Sequence, residues 1–466
     1  LNIKEIWIKS GPKFTSQYLS ECSRALVCWS GNEKFERGKT RIALTHAGLP
    51  KILPIYLRRL LPGFKLGKDS SKLVLRAVLT VLSVYRVIGC GPIFKWETIT
   101  DPFKGVSPVL PEVELRKVIA HIRPINKLNQ PDFGEISSSS GPNYPRATWS
   151  SAIDALALAL HPKQAVAFVR WCRYHKWDLP IVWWLWILIV TSLIYPFYWI
   201  LNLVFFRLRA RVMRSLYIGR LAAIPEARGK MRIVAIVDYW SQLVLKPLHH
   251  AIFKSLRAIR QDGTFDQVRP LKELIDRVGP QNVRIASFDL SAATDRLPAA
   301  LQVQILNLMG LPGDLWITLL DRPYYYVGKF DDGESFSRVY KYAVGQPMGA
   351  YSSWGMLALT HHIIVQVAAA RAGEIQPWFR DYAIIGDDII IANDSVANCY
   401  RAIMNDLGVE INMTKSHHGN VAEFAKKWVH TSLGEITPIG AGNILMVVRN
   451  IRLLPNLIVD CSTKGF

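Results

Sequence analysis

Acid is what this sequence has little of: in 466 residues, 36 Asp and Glu face 57 Lys and Arg, a formal net charge of +21. That balance favours a polyanionic partner, nucleic acid or an anionic membrane, held with marked salt sensitivity. Cysteine is also scarce. Six residues, at 22, 28, 90, 172, 399 and 461, contain no CxxC pair, so neither a disulfide framework nor a zinc finger is indicated, and free thiols in a reducing compartment are expected. The histidine pairs 249/250, 361/362 and 417/418 lack metal-ligand spacing, since neighbours on a helix point in different directions and no cysteine partners them. No internal repeat is present. An acid-poor transit peptide fits poorly with Glu5 and Glu21. The chain starts at Leu1 rather than Met and carries little beyond Lys427, as expected of a partial product.

Against that basic background, adjacent carboxylates are informative. Gly386-Asp387-Asp388 lies between the apolar runs Tyr382–Ile385 and Ile389–Ala392. Short β-branched runs broken by Gly-Asp predict a β-hairpin with buried strands and the acids at its tip. Two neighbouring carboxylates in apolar surroundings repel one another and lose hydration, so they either take up protons or hold a cation. Mg²⁺ suits such oxygens, especially together with substrate phosphates. A polar turn with two Asp is the simpler explanation, and it must be weighed against three further segments.

In the first, Val283–Phe288 suits a strand with Asp289 at its end, and Pro298 suits the first turn of a helix that stops near Gly310. Asp289 then faces the hairpin tip across a sheet, as two metal ions about 3.5–4 Å apart require for in-line phosphoryl chemistry. Asp295, six positions on, can accept a bond from a sugar hydroxyl, or simply balance a helix dipole. In the second, Glu226-Ala-Arg228-Gly-Lys230-Met-Arg232 read as a strand puts Arg228, Lys230 and Arg232 on one face. Three such cations call for a shared anion, for which a triphosphate serves; a charge-protected edge strand is the alternative. In the third, Gly345-Gln-Pro347-Met-Gly349-Ala-Tyr-Ser352-Ser353-Trp354 predicts a loop of close backbone approach entering a buried helix capped by the serine pair.

Taken in order, Arg228/Lys230/Arg232, Asp289/Asp295, Gly345 to Trp354, Gly386-Asp387-Asp388 and Lys415 resemble motifs F, A, B, C and D of viral RNA-dependent RNA polymerases. The likeness narrows with Ala235 to Trp240, Lys246-Pro-Leu-His249, Asp262 to Gln267, Leu357 to His362 and, upstream, Ser140-Gly-Pro-Asn143. These resemble the narnavirus-like mitoviruses, capsidless RNA replicons of fungal and plant mitochondria.

The resemblance implies an α+β right-hand fold with an antiparallel palm sheet, helical fingers and a short or truncated thumb. Its implied divisions are an N-terminal basic region (1–120), fingers (121–282), palm (283–430, with a fingers hairpin near 321–344) and the start of a thumb (431–466). By likeness, Asp289 and Asp387, helped by Asp388, would hold two Mg²⁺ or Mn²⁺ ions, and Lys415 would protonate pyrophosphate. Arg228, Lys230, Arg232, Asp295, Gly349 and Ser353 would bind the ribonucleoside triphosphate. The partners would be an RNA template and a primer or product strand, the task copying of a positive-strand genome, and the location the mitochondrion. Glu423-Phe-Ala-Lys426-Lys427 resembles motif E, which supports the primer. One position departs: many positive-strand polymerases carry Asn four residues past the Ser of motif B, where this chain has Leu357.

Residues 181 to 206 hold no formal charge and precede Arg207, Arg209 and Arg211. They suit a membrane-associated segment or a pair of buried fingers helices, and the second is slightly preferred. Asp331-Asp-Gly333 between Tyr/Val-rich runs predicts a hairpin. Two other function classes remain: a reverse transcriptase-like polymerase, which would bar ribose with a bulky side chain, and a non-catalytic membrane-associated RNA-binding protein, which leaves three ordered Asp unexplained.

Overall fold

Among the described residues, period-two patterning in the sequence becomes three small sheets set among helices, an α+β arrangement. The computed structural model describes residues 2–38, 40–125, 127–133, 139–205, 216–281, 283–329, 335–413 and 416–466. In chain order the strands are β1 (Gly219–Pro225), β2 (Met231–Val237), β3 (Ile285–Asp289), β4 (Tyr324–Lys329) and β5 (Ser335–Tyr340). There follow β6 (Tyr382–Ile385), β7 (Asp388–Ile391), β8 (His417–Gly419), β9 (Val421–Phe424), β10 (Lys427–His430) and β11 (Gly434–Glu435). They form sheets ordered β2-β1-β4-β5, β6-β7-β3-β8 and β11-β10-β9.

The sheet β6-β7-β3-β8 is antiparallel throughout. Alternation explains its place in the molecule. Tyr382, Ile384, Ile389 and Ile391 join the main core with the helices Ser353–Arg371 and Asp394–Asp406. Ala383, Ile390 and Ile285 face the other way, onto Leu271, Leu274 and Phe424. Both faces are covered, so the strands carry apolar residues at nearly every position. The helix Ser353–Arg371 is buried almost all round, as its lack of a polar face requires.

The basic N-terminal stretch does not stand apart. Leu19, Leu26, Phe64, Leu75 and Leu79 share one core with Val421 and Ile436. Ile99, Leu110 and Leu115 belong instead to the main core. The predicted hairpin between 321 and 344 is present as β4 and β5, which extend the β1/β2 pair; its Asp331-Asp-Gly333 tip lies outside the described residues.

A buried polar network locks the start of the helix Tyr239–Leu256. Asp238 accepts the Ser241 amide at 2.9 Å as its cap and bonds to Arg322, both side chains being fully buried. Arg322 also donates to Ser241 Oγ at 2.7 Å and the Ile218 carbonyl at 3.1 Å. Alongside, Asp154 accepts from Asn143 Nδ2 (2.7 Å), Ser150 Oγ (2.7 Å) and the Tyr239 amide (2.9 Å). Burial, then the charge of Asp238, pushes its pKa up to about 7 despite those three donors. Asn143 thus acts as a structural clasp.

The expectation of two buried helices at 181–206 is not met. One helix, Leu179–Phe205, spans the segment with Pro196 inside it. Trp184 is buried and Ile181, Ile187 and Leu188 pack on the core, while Val182, Trp186, Ile189, Leu193, Ile194 and Phe197 are exposed. A helix hydrophobic on every side buries only the stripe it turns to the protein. Arg207, Arg209 and Arg211 lie outside the described residues.

Candidate active site

The hairpin forms where the sequence predicts, with Gly386 and Asp387 as its turn and Ile385 paired to Asp388. Gly386 has φ +61°, and a Cβ there would lie 2.9 Å from the Trp354 indole nitrogen, so conformation and space both demand glycine. Across the sheet Asp289 is the direct partner of Asp388. The amide of Asp289 donates to Ser416 Oγ at 3.2 Å, and its carbonyl accepts from the Asn412 amide at 2.8 Å. Acids from two segments far apart in the chain therefore meet at one sheet end, with Asp387 exposed and Asp289 half-buried. Lys415 lies outside the described residues.

A fourth acid joins them. Burial, then the charges of Asp387, Glu423 and Asp289, pushes the Asp388 pKa up to about 7. Glu423 sits on β9, whose tight link to β10 has positive φ at Ala425 and Lys426. Such accumulated negative charge, all on carboxylate oxygen, is the donor set that Mg²⁺ or Mn²⁺ takes, so the residues fit the implied ions.

Of two adjacent histidines that the sequence left without a role, one holds the turn from beneath. His361 Nδ1 is 2.9 Å from the Gly386 carbonyl and Nε2 is 2.7 Å from Tyr400 Oη. A carbonyl only accepts, so Nδ1 carries the proton and Nε2 accepts from the tyrosine. Burial holds the His361 pKa down at about 4, keeping the ring neutral. His362 faces elsewhere, bridging Tyr382 Oη (2.9 Å) and Asp262 Oδ2 (3.1 Å). From adjacent positions on one helix, His361 thus ties the turn to the helix Asp394–Asp406 and His362 ties β6 to Asp262.

Asp295 occupies a short helical turn, Ala293–Arg296, and is buried. Its Oδ2 accepts from Thr98 Oγ1 at 2.8 Å, whereas Oδ1 has no protein donor. Burial raises its pKa to about 6, opposed by the Thr98 bond and the charges of Arg296 and Lys230. Thr98, from the N-terminal part of the chain, is a contact no local signal announces.

The loop from Gly345 packs against this turn. The Gly345 and Gln346 amides donate to the Asp295 and Thr294 carbonyls, each at 3.0 Å. Gly349, at φ +110°, would place a Cβ 2.5 Å from the Ala235 carbonyl. That close approach is to β2 of the protein itself. The serine pair does not cap the helix by side chain: Ser352 sits at φ +71°, and its Oγ accepts from Trp316 Nε1 at 2.8 Å. Ser353 is buried with its Oγ lacking a protein partner.

The basic trio does not share one strand face. Arg228 is at φ +62° in the turn between β1 and β2, not on a strand. It donates to Ser20 Oγ at 3.0 Å and lies 5.3 Å from the centre of the Tyr85 ring. Lys230 and Arg232 instead share Glu226, at 3.3 and 2.5 Å. A reversal at Gly229 breaks the alternation that a continuous strand would keep.

With this geometry in place, comparison with known proteins decides the lineage. A family model described as mitovirus RNA-dependent RNA polymerase matches residues 129–466. The chain belongs to that family. An RNA-directed RNA polymerase of Cryphonectria parasitica mitovirus 1 is 38% identical over 430 residues, 91% of this chain and 51% of the relative. The mitovirus-family chain described here thus spans about half the length of that curated relative. An uncharacterized mitochondrial protein of Arabidopsis thaliana is 39% identical over 202 residues, 41% of this chain and 76% of its own. Among solved structures, the RNA-dependent RNA polymerase of a human picobirnavirus aligns at TM-score 0.37 and 13% identity, covering 48% of this chain and 46% of that one.

Proposed function

We propose that this chain carries the polymerising centre of an RNA-dependent RNA polymerase that copies a positive-strand RNA in mitochondria by two-metal nucleotidyl transfer. The observation that carries the reading is the convergence of Asp289, Asp387 and Asp388 on one sheet end, inside a chain of the mitovirus family. In this reading residues 283–430 form the palm, 121–282 the fingers, and 431–466 begin the thumb. Asp289 and Asp387 hold two divalent ions, with Asp388 assisting. When bound, the ions supply activation of the attacking 3′-hydroxyl and neutralise charge on the departing pyrophosphate. The carboxylates fix where the α-phosphate sits, and His361 with Tyr400 keeps the turn rigid, so positioning provides much of the acceleration. Lys230 and Arg232 exchange Glu226 for the triphosphate, while Gly349 shapes the loop that Ser353 follows. Lys415 remains the proposed proton donor.

Ribose selection falls to Asp295 and Ser353, whose Oδ1 and Oγ lack protein partners. With Leu357 at the usual Asn position, these two carry the task without an amide. Extension of an RNA primer on an RNA template with each nucleotide class tests the assignment: ribonucleotides are incorporated and deoxyribonucleotides are not. Efficient deoxyribonucleotide addition would instead favour the reverse transcriptase reading.

Because the Asp295 pKa is raised to about 6, its ionised, accepting form is lost as pH falls below that value. The KM for ribonucleotide should therefore rise about tenfold per unit below that point, beyond whatever change Asp295→Asn also shows. Parallel pH profiles for the two proteins would refute the role.

The exposed apolar side of Leu179–Phe197 is proposed to associate with a membrane. A helix of 27 residues is about 40 Å long, enough to cross a hydrocarbon layer of about 30 Å. Replacing Val182, Trp186, Ile189, Leu193 and Phe197 by polar residues should move the chain from the membrane pellet to the soluble fraction. An unchanged distribution would show that the segment is not an anchor.

A further inference from the structure

Cys28, Glu33 and His417 are buried groups that the polymerase reading leaves unused. A sulfur, a carboxylate oxygen and a ring nitrogen from these three lie within 4.8 Å of one another. Cys28 ends the helix Ile3–Ser30 and Glu33 follows it, the Glu33 amide donating to the Cys28 carbonyl at 2.8 Å. His417 arrives from β8. Cys28 is 4% exposed, and the side chains of His417 and Glu33 are 2% and 9% exposed.

The backbone is built for this meeting. Asn420 donates its amide to the Gly31 carbonyl at 3.1 Å, and a Cβ on Gly419 would lie 2.5 Å from Glu33 Cγ. Glu33 is only half satisfied: Oε2 is 3.0 Å from His417 Nδ1, whereas the buried Oε1 has no donor. A carboxylate kept dry in that state is costly unless a cation completes it.

We propose that Cys28, Glu33 and His417 form a zinc site, completed by water, that fastens the N-terminal helix to the sheet carrying Asp289. Thiolate and carboxylate together balance the charge of a divalent ion, and the neutral imidazole adds none. Sulfur and nitrogen donors favour zinc over magnesium, which takes oxygen. Tetrahedral bonds of about 2.0–2.3 Å put donor atoms about 3.5 Å apart, so small side-chain rotations close the set. On binding, the Cys28 S–H proton leaves to solvent and sulfur forms the bond to the ion. The expectation that no cysteine partners the histidine pairs holds along the sequence and fails in space. Through β8, whose His417 pairs with Ser287 of β3, the site bears on the strand that ends at Asp289.

The competing account is a Glu33–His417 ion pair beside an inert thiol, which burial and then Glu33 push up to about 12. The two accounts differ in metal content. The full chain, purified under reductant with Zn²⁺ and dialysed, is expected to retain about one zinc, and Co²⁺ in its place should show a thiolate-to-cobalt charge-transfer band. Cys28→Ser should lose the band and bind zinc at least about tenfold more weakly. Cys22→Ser, on the same helix, and Asp289→Asn should keep both properties. Absence of zinc and of the cobalt band in the unaltered chain would overturn the site, even if Cys28→Ser does not fold. So would equal zinc binding by a folded Cys28→Ser, or loss of zinc in Asp289→Asn.

Discussion

Asp387→Asn is expected to reduce nucleotide addition by at least about 10³-fold, since a lost metal ligand removes about 4 kcal/mol of transition-state stabilisation. The residue lies exposed on the hairpin turn, so the fold should survive. Asn keeps the shape while removing a charge from a cluster where Asp388 is already pushed up to about 7 by burial and its acidic neighbours. RNA affinity should therefore hold or tighten slightly, and its salt dependence should not change. Rapid-quench extension and a filter-binding titration on the same preparation separate the two effects. Undiminished extension would remove Asp387 from the chemistry; loss of both properties together would point to a folding defect.

Arg322→Met should destabilise the chain by about 3–5 kcal/mol, a large share of the roughly 5–15 kcal/mol that native proteins possess. Arg322 and Asp238 are both fully buried, and Asp238 also caps the helix Tyr239–Leu256. Removing the guanidinium strands a carboxylate that already lies close enough to Asp154 to help raise its pKa. Pairing the change with Asp238→Asn should restore part of the loss, because the uncompensated charge is then gone. Urea unfolding of the three variants measures this. A single-variant loss below about 1 kcal/mol, the scale of an exposed pair, would contradict the account.

The acidic hairpin was legible because strands covered on both faces must be apolar at successive positions, and few sequences interrupt such runs with Gly-Asp-Asp. Asp289 could be placed at a strand end for the same reason. The trio at 228–232 was misread since alternation alone cannot reveal a reversal at Gly229, nor the counter-charge of Glu226 that the β1/β2 pairing brings round. Residues 181–206 were expected as two buried helices because an unbroken apolar run does not reveal how much of its helix the protein will cover; Leu179–Phe205 is one helix with Val182, Trp186, Ile189 and Phe197 exposed. Thr98 on Asp295, His361 on the Gly386 carbonyl, and Cys28 beside His417 all join positions with no local signature. Each exists only once the chain has folded, and each sits where a buried polar atom needed a partner.

Joint binding of divalent ions by Asp289 and Asp387 underlies the RNA-directed nucleotide transfer proposed for this chain. Electron paramagnetic resonance of Mn²⁺, titrated into the full chain with primer-template RNA and a non-hydrolysable ribonucleotide, tests it most directly. Two tightly held ions are predicted in the unaltered chain, and fewer in both Asp289→Asn and Asp387→Asn. An unchanged Mn²⁺ stoichiometry and affinity in the two variants would show that these carboxylates do not hold the ions.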